Sequence, residues 1–242
     1  VEVVDLRGAF LGRAYYNRRS LICARLITRG RDAVDEAFFV RRIERALKLR
    51  EAVYPGAAAA RLVYGESDQL PGLVVDRYGD WLAVQVLTLG IEVRAALVRA
   101  ALEQVLRPRG VMRIADSALR ALEGLPLERG VWWGEVPERI EVALDGLTLE
   151  VDLHRGQKTG LYLDQRENRR RAEARARGQR VLDLFCYQGE WALHAARGGA
   201  AEVLAVDSSA PALEAARRNA ERNGLAERIT FRQGDCFDIV RE

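Results

Sequence analysis

From Gln179 to Asp235 the chain repeats one pattern: a short apolar run, a loop and an amphipathic stretch. VLDLFCY is followed by GEWALHAARGG, EVLAVDSS by PALEAARRNAERNG, and RITFRQGD closes the series. The three runs are short and bounded by turn residues, so they read as buried strands. The stretches between them have helical spacing, with Pro211 at the start of the second and Gly224 just past its end. Such βαβαβ alternation predicts a parallel, doubly wound α/β sheet. Ligands of these sheets bind outside the carboxyl ends of the strands, near the switch in strand order.

Three acidic groups fall at those ends. Asp183 opens the first loop, DLFCYQGEW, in which Gly189 lets the backbone approach a ligand closely. Asp207 ends the second strand, where a carboxylate can accept both hydroxyls of a ribose. Asp235 ends the third, placed for an adenine amino group, with Cys236 and Phe237 available to pack on the ring. Carboxylates at all three ends suit an adenosine ligand without phosphates, because beside a pyrophosphate they would be repulsive. The glycine fingerprint G-x-G-x-x-G of dinucleotide folds is absent, and the first loop offers only Gly189 where three glycines are needed. The reading is an S-adenosylmethionine (SAM) site. The plain alternative is that Asp183 caps a loop and Asp207 begins a turn.

The rest of the chain reads differently. Residues 1–30 form short strands (VEVVDL, FLGRAYYN, LICARLIT) of a small β-domain. Residues 35–53 predict a helix with Asp35 as N-cap, stopped by Pro55-Gly56. Its basic face (Arg41, Arg42, Arg45, Lys48, Arg50) fits either solvent or phosphates. From Arg61 to Leu153 the pattern is β-β-α-β-β, with strands at 61–64, 73–77 and 81–87, a helix at 91–106 and a strand at 111–115. A hairpin spans 138–144 and 147–153, since Asp145-Gly146 suits a type I′ turn. Trp132 and Trp133 read as core or interface residues rather than base-stacking platforms.

Composition sets limits on function. The net charge of +3 in 242 residues permits a nucleic-acid partner without demanding one. The only lysines are Lys48 and Lys158, so the arginine excess reflects composition more than a binding face. Cys23, Cys186 and Cys236 are isolated, which argues against a disulfide framework or zinc ribbon and fits a reducing, cytoplasmic setting. No metal site is expected. No stretch approaches the ~20 apolar residues of a membrane span.

The strings QKTGLYLDQREN (157–168), DLFCYQGEWALHAA, AVDSSAPALEAARRNAERNGL and GESDQLPGLVVDRYGDWLAVQV (65–86) together resemble the bacterial ribosomal RNA large-subunit methyltransferases of the 5-methylcytosine type. The resemblance runs over essentially the whole chain. It implies a partial Rossmann-like SAM methyltransferase domain (155–242), preceded by a small α+β central domain (57–154), a linking helix (33–56) and the end of a PUA-like β-domain (1–32). It further implies a chain truncated at both ends, SAM as cofactor and ribosomal RNA as partner, with a homodimer one of the oligomeric states left open.

By that resemblance, Lys158 and Thr159 with Gln165 and Arg166 line the methionine end of SAM beside the Asp183–Gly189 loop. Lys158 would counter the cofactor carboxylate. Phe185, Ser208 and Cys236 complete the cofactor set with Asp183, Gly189, Asp207 and Asp235. Arg166, Arg169, Arg170, Arg171 and Arg175 lie on a helix that could equally meet RNA phosphates or solvent. Glu190 departs from the pattern, which usually has a second glycine there. Its side chain either points away from SAM or narrows the pocket.

The implied chemistry is covalent: a thiolate attacks C6 of cytosine, the methyl group enters at C5, and a base removes the C5 proton before the thiolate leaves. The target base must be splayed out of its stack. The family's D-P-P loop and S-C-S cysteine are not in this sequence, and none of the three cysteines has the nucleophile's context. No catalytic residue is therefore named, and the chain is expected to be an inactive fragment that binds SAM weakly at most. The alternatives are a non-enzymatic RNA-binding module and another Rossmann enzyme, such as an NAD-dependent oxidoreductase.

Overall fold

The computed structural model describes residues 1–241 and divides the chain into two compact units. The first comprises Val1–Ile140 and Val151–Leu161, and the second Glu141–Glu150 with Tyr162 onward.

The first unit begins with a three-stranded antiparallel sheet: β1 (Glu2–Val4), β2 (Phe10–Tyr16) and β3 (Ala24–Thr28). β1 is shorter than the VEVVDL run because the Asp5 carboxylate accepts the Arg7 and Ala9 N–H groups at 2.8 Å and turns the chain. Helix α1 (Glu36–Val53) follows, and the Asp35 side chain caps it by accepting the Phe38 N–H at 2.9 Å, as the sequence predicts. Phe38, Phe39, Ile43 and Ala46 face inward, which leaves the arginines outside or at the boundary.

The central sheet runs β4 (Ala59–Tyr64), β5 (Leu73–Tyr78), β6 (Trp81–Val86), β7 (Gly110–Ala115) and β8 (Glu128–Gly134) in that spatial order. Only the β6–β7 pair is parallel, as its helical crossover requires. The helix expected at 91–106 is two helices, α2 (Leu89–Glu92) and α3 (Ala95–Leu106). The first is a single turn in which Gly90 lies flat against the Tyr15 ring, where a Cβ would come within 2.1 Å of ring carbon. A further short helix, α4 (Leu119–Leu122), brings Arg120 inside. Its guanidinium meets the carbonyls of Val86 and Pro126 and the Glu92 carboxylate. Strand β8 carries Trp132 and Trp133, which pack against this unit's core with Arg113 and Arg99 over their rings.

From the start of β8, the Arg129 guanidinium gathers the loop at 153–158. It donates to the carbonyls of Leu153, His154, Gly156 and Lys158 at 2.8–3.4 Å, while its Nε holds Asp116.

β9 (Ile140–Leu144) and β10 (Leu147–Val151) form a separate hairpin whose Asp145 and Gly146 both have positive φ, 53° and 79°, as a type I′ turn demands. Except for its end residues, the hairpin falls in the second unit. Side chains explain the grouping: Asn219 and Asn223 accept the Glu150 and Thr148 N–H groups at 2.9 Å, and Glu150 pairs with Arg218 at 2.7 Å.

The second unit continues with α5 (Arg166–Glu173), β11 (Arg180–Leu184), α6 (Glu190–Arg197), β12 (Glu202–Asp207), α7 (Ala210–Arg222), β13 (Ile229–Gln233) and α8 (Cys236–Ile239). β11, β12 and β13 pair in parallel in that order, which bears out the doubly wound reading. Apolar residues of β12 (Val203, Ala205, Val206) and the small faces of α6 and α7 form its core. Among the described residues, no helix is long and apolar enough to cross a membrane, and no cluster of His, Cys, Asp or Glu could hold a metal ion.

Candidate functional site

The three carboxyl ends of β11, β12 and β13 come together around the loop Phe185–Gly189. Three of its five residues have left-handed backbones: Phe185 (φ 57°), Tyr187 (φ 49°) and Gly189 (φ 78°). For the two aromatic residues that conformation costs on the order of 1 kcal/mol each or more, and such strain concentrates at functional loops. The loop keeps this shape because its N–H groups are tied to the neighbouring strand ends. Cys186 N–H donates to the Val206 carbonyl at 2.9 Å, and Tyr187 N–H to Asp207 Oδ2 at 2.9 Å. Phe185 N–H donates to the Cys236 sulfur at 3.3 Å.

Each acidic residue at a strand end thus has a structural partner. Asp183 is buried and accepts the Ala192 N–H of α6 at 3.0 Å. Burial pushes its carboxyl up to about 7, with Glu190 and Asp207 adding to the shift against the opposing Ala192 hydrogen bond. Asp207 is half-buried and accepts two backbone N–H groups, those of Tyr187 and Ser209. Asp235 is exposed and caps α8 by accepting the Phe237 N–H at 2.7 Å. An ionised carboxylate has about four acceptor sites, so Asp207 keeps capacity for two further donors. The plain capping roles weighed from sequence are real, and they leave room for a ligand.

The remaining residues separate into groups. Phe185 and Phe237 are exposed and meet edge-on, ring centroids 5.8 Å apart, above the buried Cys236. Cys236 itself lies inside, its sulfur held between Phe185 N–H and the Val206 carbonyl. Ser208 is exposed, and its carbonyl accepts the Gln233 amide at 3.1 Å. Gln165 is half-buried at the start of α5, bonded to Asp164 and Asn168. Arg166 turns to Asp145 of the hairpin at 2.6 Å. Lys158 and Thr159 belong to the first unit. There Lys158 is exposed, and Thr159 is buried with its hydroxyl donating to Asp76 Oδ2 at 2.6 Å.

Burial also pushes the Cys186 thiol well above its ordinary range, which removes it as a thiolate. Glu190, the departure from the glycine pattern, turns inward. It is 4 % exposed and its Oε2 lies 2.7 Å from Arg169 Nη1, so its side chain points into the protein. Tyr162 and Gln188 lie in the segments that the sequence assigns to the site, and Arg169 on the helix beside it, but none of the three is named there as a cofactor residue. Arg169 and Gln188 are buried, and the Gln188 Oε1 has no hydrogen-bond partner among the described residues. The sequence signal for Arg169 was only its place three residues after Arg166, on a helix that otherwise looks solvated.

Around this loop lie the carboxylates at three strand ends, the exposed rings of Phe185 and Phe237 and the left-handed backbone at Gly189. An adenosine-bearing cofactor without phosphates fits this chemistry.

Comparison with known proteins agrees. Residues 94–239 match the family described as S-adenosylmethionine-dependent methyltransferase, and residues 1–29 match a PUA-like domain. The Ribosomal RNA large subunit methyltransferase I of Photobacterium profundum is 40 % identical over 247 residues, covering all of this chain. The chain spans 62 % of that relative's length. A candidate SAM-dependent methyltransferase from Streptococcus mutans superposes with a TM-score of 0.87 at 24 % identity, covering 100 % of this chain and 63 % of that one. A candidate methyltransferase solved in complex with SAH gives 0.86 at 25 % identity with the same coverage. The parallel sheet, the strained loop and the match over most of the second half agree: the chain belongs to the S-adenosylmethionine-dependent methyltransferases, and S-adenosylmethionine is its cofactor.

Proposed function

We propose that the protein transfers a methyl group from SAM to large-subunit ribosomal RNA, at C5 of a cytosine. The observation that carries the cofactor half is Asp207, which braces the left-handed Tyr187 and keeps two acceptor positions for a ribose. Asp183, Phe185, Gly189, Ser208 and Asp235, with Cys236 beneath the aromatic pair and Gln165 at the start of α5, make up the remainder of the site. Lys158, Thr159 and Arg166 stand as the residues that the family resemblance proposes for the methionine end of the cofactor; the side chains of Thr159 and Arg166 are bonded to Asp76 and Asp145.

Support for the RNA half comes from the relatives' printed function and from the PUA-like match. C5 chemistry requires a thiolate. Cys186 and Cys236 are buried, and none of the three cysteines has the S-C-S context of the family's nucleophile, so no catalytic residue is assigned. Two measurements on the full-length protein test the reading. Titration calorimetry should show binding of S-adenosylhomocysteine and none of NAD. Incubation of unmodified large-subunit RNA with methyl-labelled SAM, followed by nucleoside analysis, should give 5-methylcytidine. A methylated guanine amine would overturn the C5 assignment alone, and absence of incorporation would overturn the RNA methyltransferase reading.

A further inference from the structure

The Arg169–Glu190 pair poses a question that stability does not answer. Both side chains are inside, at 0 % and 4 % exposure, and Nη1 of Arg169 lies 2.7 Å from Glu190 Oε2. The guanidinium Nε and Nη2 have no hydrogen-bond partner among the described residues. Replacing a buried ion pair by apolar side chains is often neutral or even stabilising, because desolvation consumes the Coulombic gain. A pair with unmatched donors is a still poorer device for stability.

What the pair does hold is the backbone of one residue. Arg169 Nη1 donates to the Tyr162 carbonyl at 2.9 Å, and Glu190 Oε1 accepts the Tyr162 N–H at 3.4 Å. Both backbone groups of Tyr162 are thereby gripped by side chains from α5 and α6. The Tyr162 ring then stands edge-on to Tyr187, with centroids 5.7 Å apart and planes at 87°. Tyr187 is the left-handed residue whose N–H rests on Asp207. The contacts run without a gap from the buried pair, through Tyr162 and Tyr187, to the carboxylate assigned to the ribose. The Tyr162 phenol feels the same neighbourhood: burial raises its pKa first, then Asp164, Glu190 and Asp207.

We infer that Arg169 and Glu190 are positioning residues that fix Tyr162 as an aromatic wall beside Asp207, and that Tyr162 lines the cofactor site. The inference rests on the cofactor reading above. A side chain at the first position of α6 can reach the Tyr162 N–H, and a glycine there could not.

The test uses the full-length protein and two readouts: S-adenosylhomocysteine affinity by calorimetry, and the fluorine resonance of 3-fluorotyrosine at position 162, assigned by its loss in Tyr162→Phe. Tyr162→Ala, Glu190→Gly and Arg169→Met should each weaken binding about tenfold or more, while Tyr162→Phe stays within about threefold. The Tyr162 resonance should move in Glu190→Gly and Arg169→Met without any ligand, which a purely structural pair elsewhere in the fold would not cause. If a truncating variant fails to fold, Glu190→Gln decides. It keeps an acceptor for the Tyr162 N–H and loses the charge, so a moved resonance with about threefold weaker binding supports the inference. Unchanged binding and an unmoved resonance in that variant overturn it. Wild-type protein that binds, with Glu190→Gly binding equally, overturns the positioning role and leaves the cofactor site standing. Wild-type protein that does not bind overturns the cofactor reading and this inference together.

Discussion

The central five-stranded sheet and the three-stranded parallel sheet hold themselves together by different means. In the first, strands β5, β6 and β7 are closed on both sides by other strands, and Val75, Ala83, Val84, Val111 and Met112 are fully buried. In the second, only β12 is flanked on both sides, and the edge strand β11 leaves Leu182 50 % exposed, with Phe185 and Phe237 also open. A groove of about 550 Å³ runs along that edge, lined by Val181, Leu182, Phe185, Trp191 and Ala195 among others. Burial does most of the work in one sheet, whereas polar ties between strand ends and loops do much of it in the other. The carboxylates of the candidate site are therefore also fasteners, and substitutions there have to be read for stability as well as for binding.

The two fully buried arginines mirror the contrast. Arg120 of the first unit meets two carbonyls and Glu92 and leaves one donor, Nη2, unmatched, whereas Arg169 of the second leaves two, Nε and Nη2. Arg120→Ala should cost about 3 kcal/mol in chemical denaturation, because it empties a fully buried position, takes the donor from the Val86 and Pro126 carbonyls and leaves Glu92 with Arg113. A loss under about 1 kcal/mol would erase the distinction between the two arginines. Leu82→Ala in β6 removes a side chain that is 1 % exposed. It should cost about 2–5 kcal/mol, again read from the denaturation midpoint.

Asp183 gives an intermediate and pH-dependent effect. Its folded-state carboxyl, at about 7 against an ordinary 3.8, holds a proton that the unfolded chain has already released. Stability should therefore fall as pH rises across that window, by at most about 4 kcal/mol, and level off above it. Asp183→Asn keeps an oxygen for the Ala192 N–H and should flatten this part of the stability–pH curve. An unchanged slope would assign the pH dependence to another group. The smallest effect belongs to the open edge: Leu182→Ala should change stability by less than about 1 kcal/mol. A loss matching that of Leu82→Ala would show that β11 is covered in solution.

Periodic and capping signals made much of this legible in the sequence. The Asp35 cap, the Asp145-Gly146 turn and the parallel βαβαβ unit each follow from local chemistry that tertiary context did not override. β8 was harder to see, because ERGVWWG has neither alternation nor a continuous apolar run, and its pairing with β7 is irregular between Val111 and Met112. Gly90, in the single-turn helix before Ala95, meets Tyr15, a contact across 75 residues that no window captures. At the site, the strand-end acids could be read because topology dictates their place. The partners of Thr159, Arg166 and Glu190 could not, since long polar side chains choose among acceptors that only the folded chain brings near. Family resemblance supplied Arg166 and Thr159 as cofactor residues, and the structure shows what else occupies their side chains.

The left-handed aromatics at 185 and 187 carry a consequence for how this loop can vary. Glycine or asparagine at either position would relax the backbone, so a library selected for yield should drift toward those residues. A library selected for retention on immobilised S-adenosylhomocysteine should drift back toward the rings. The two selections pull the same codons in opposite directions, which makes the loop a place where the fitness of the fold and the fitness of the ligand can be weighed separately.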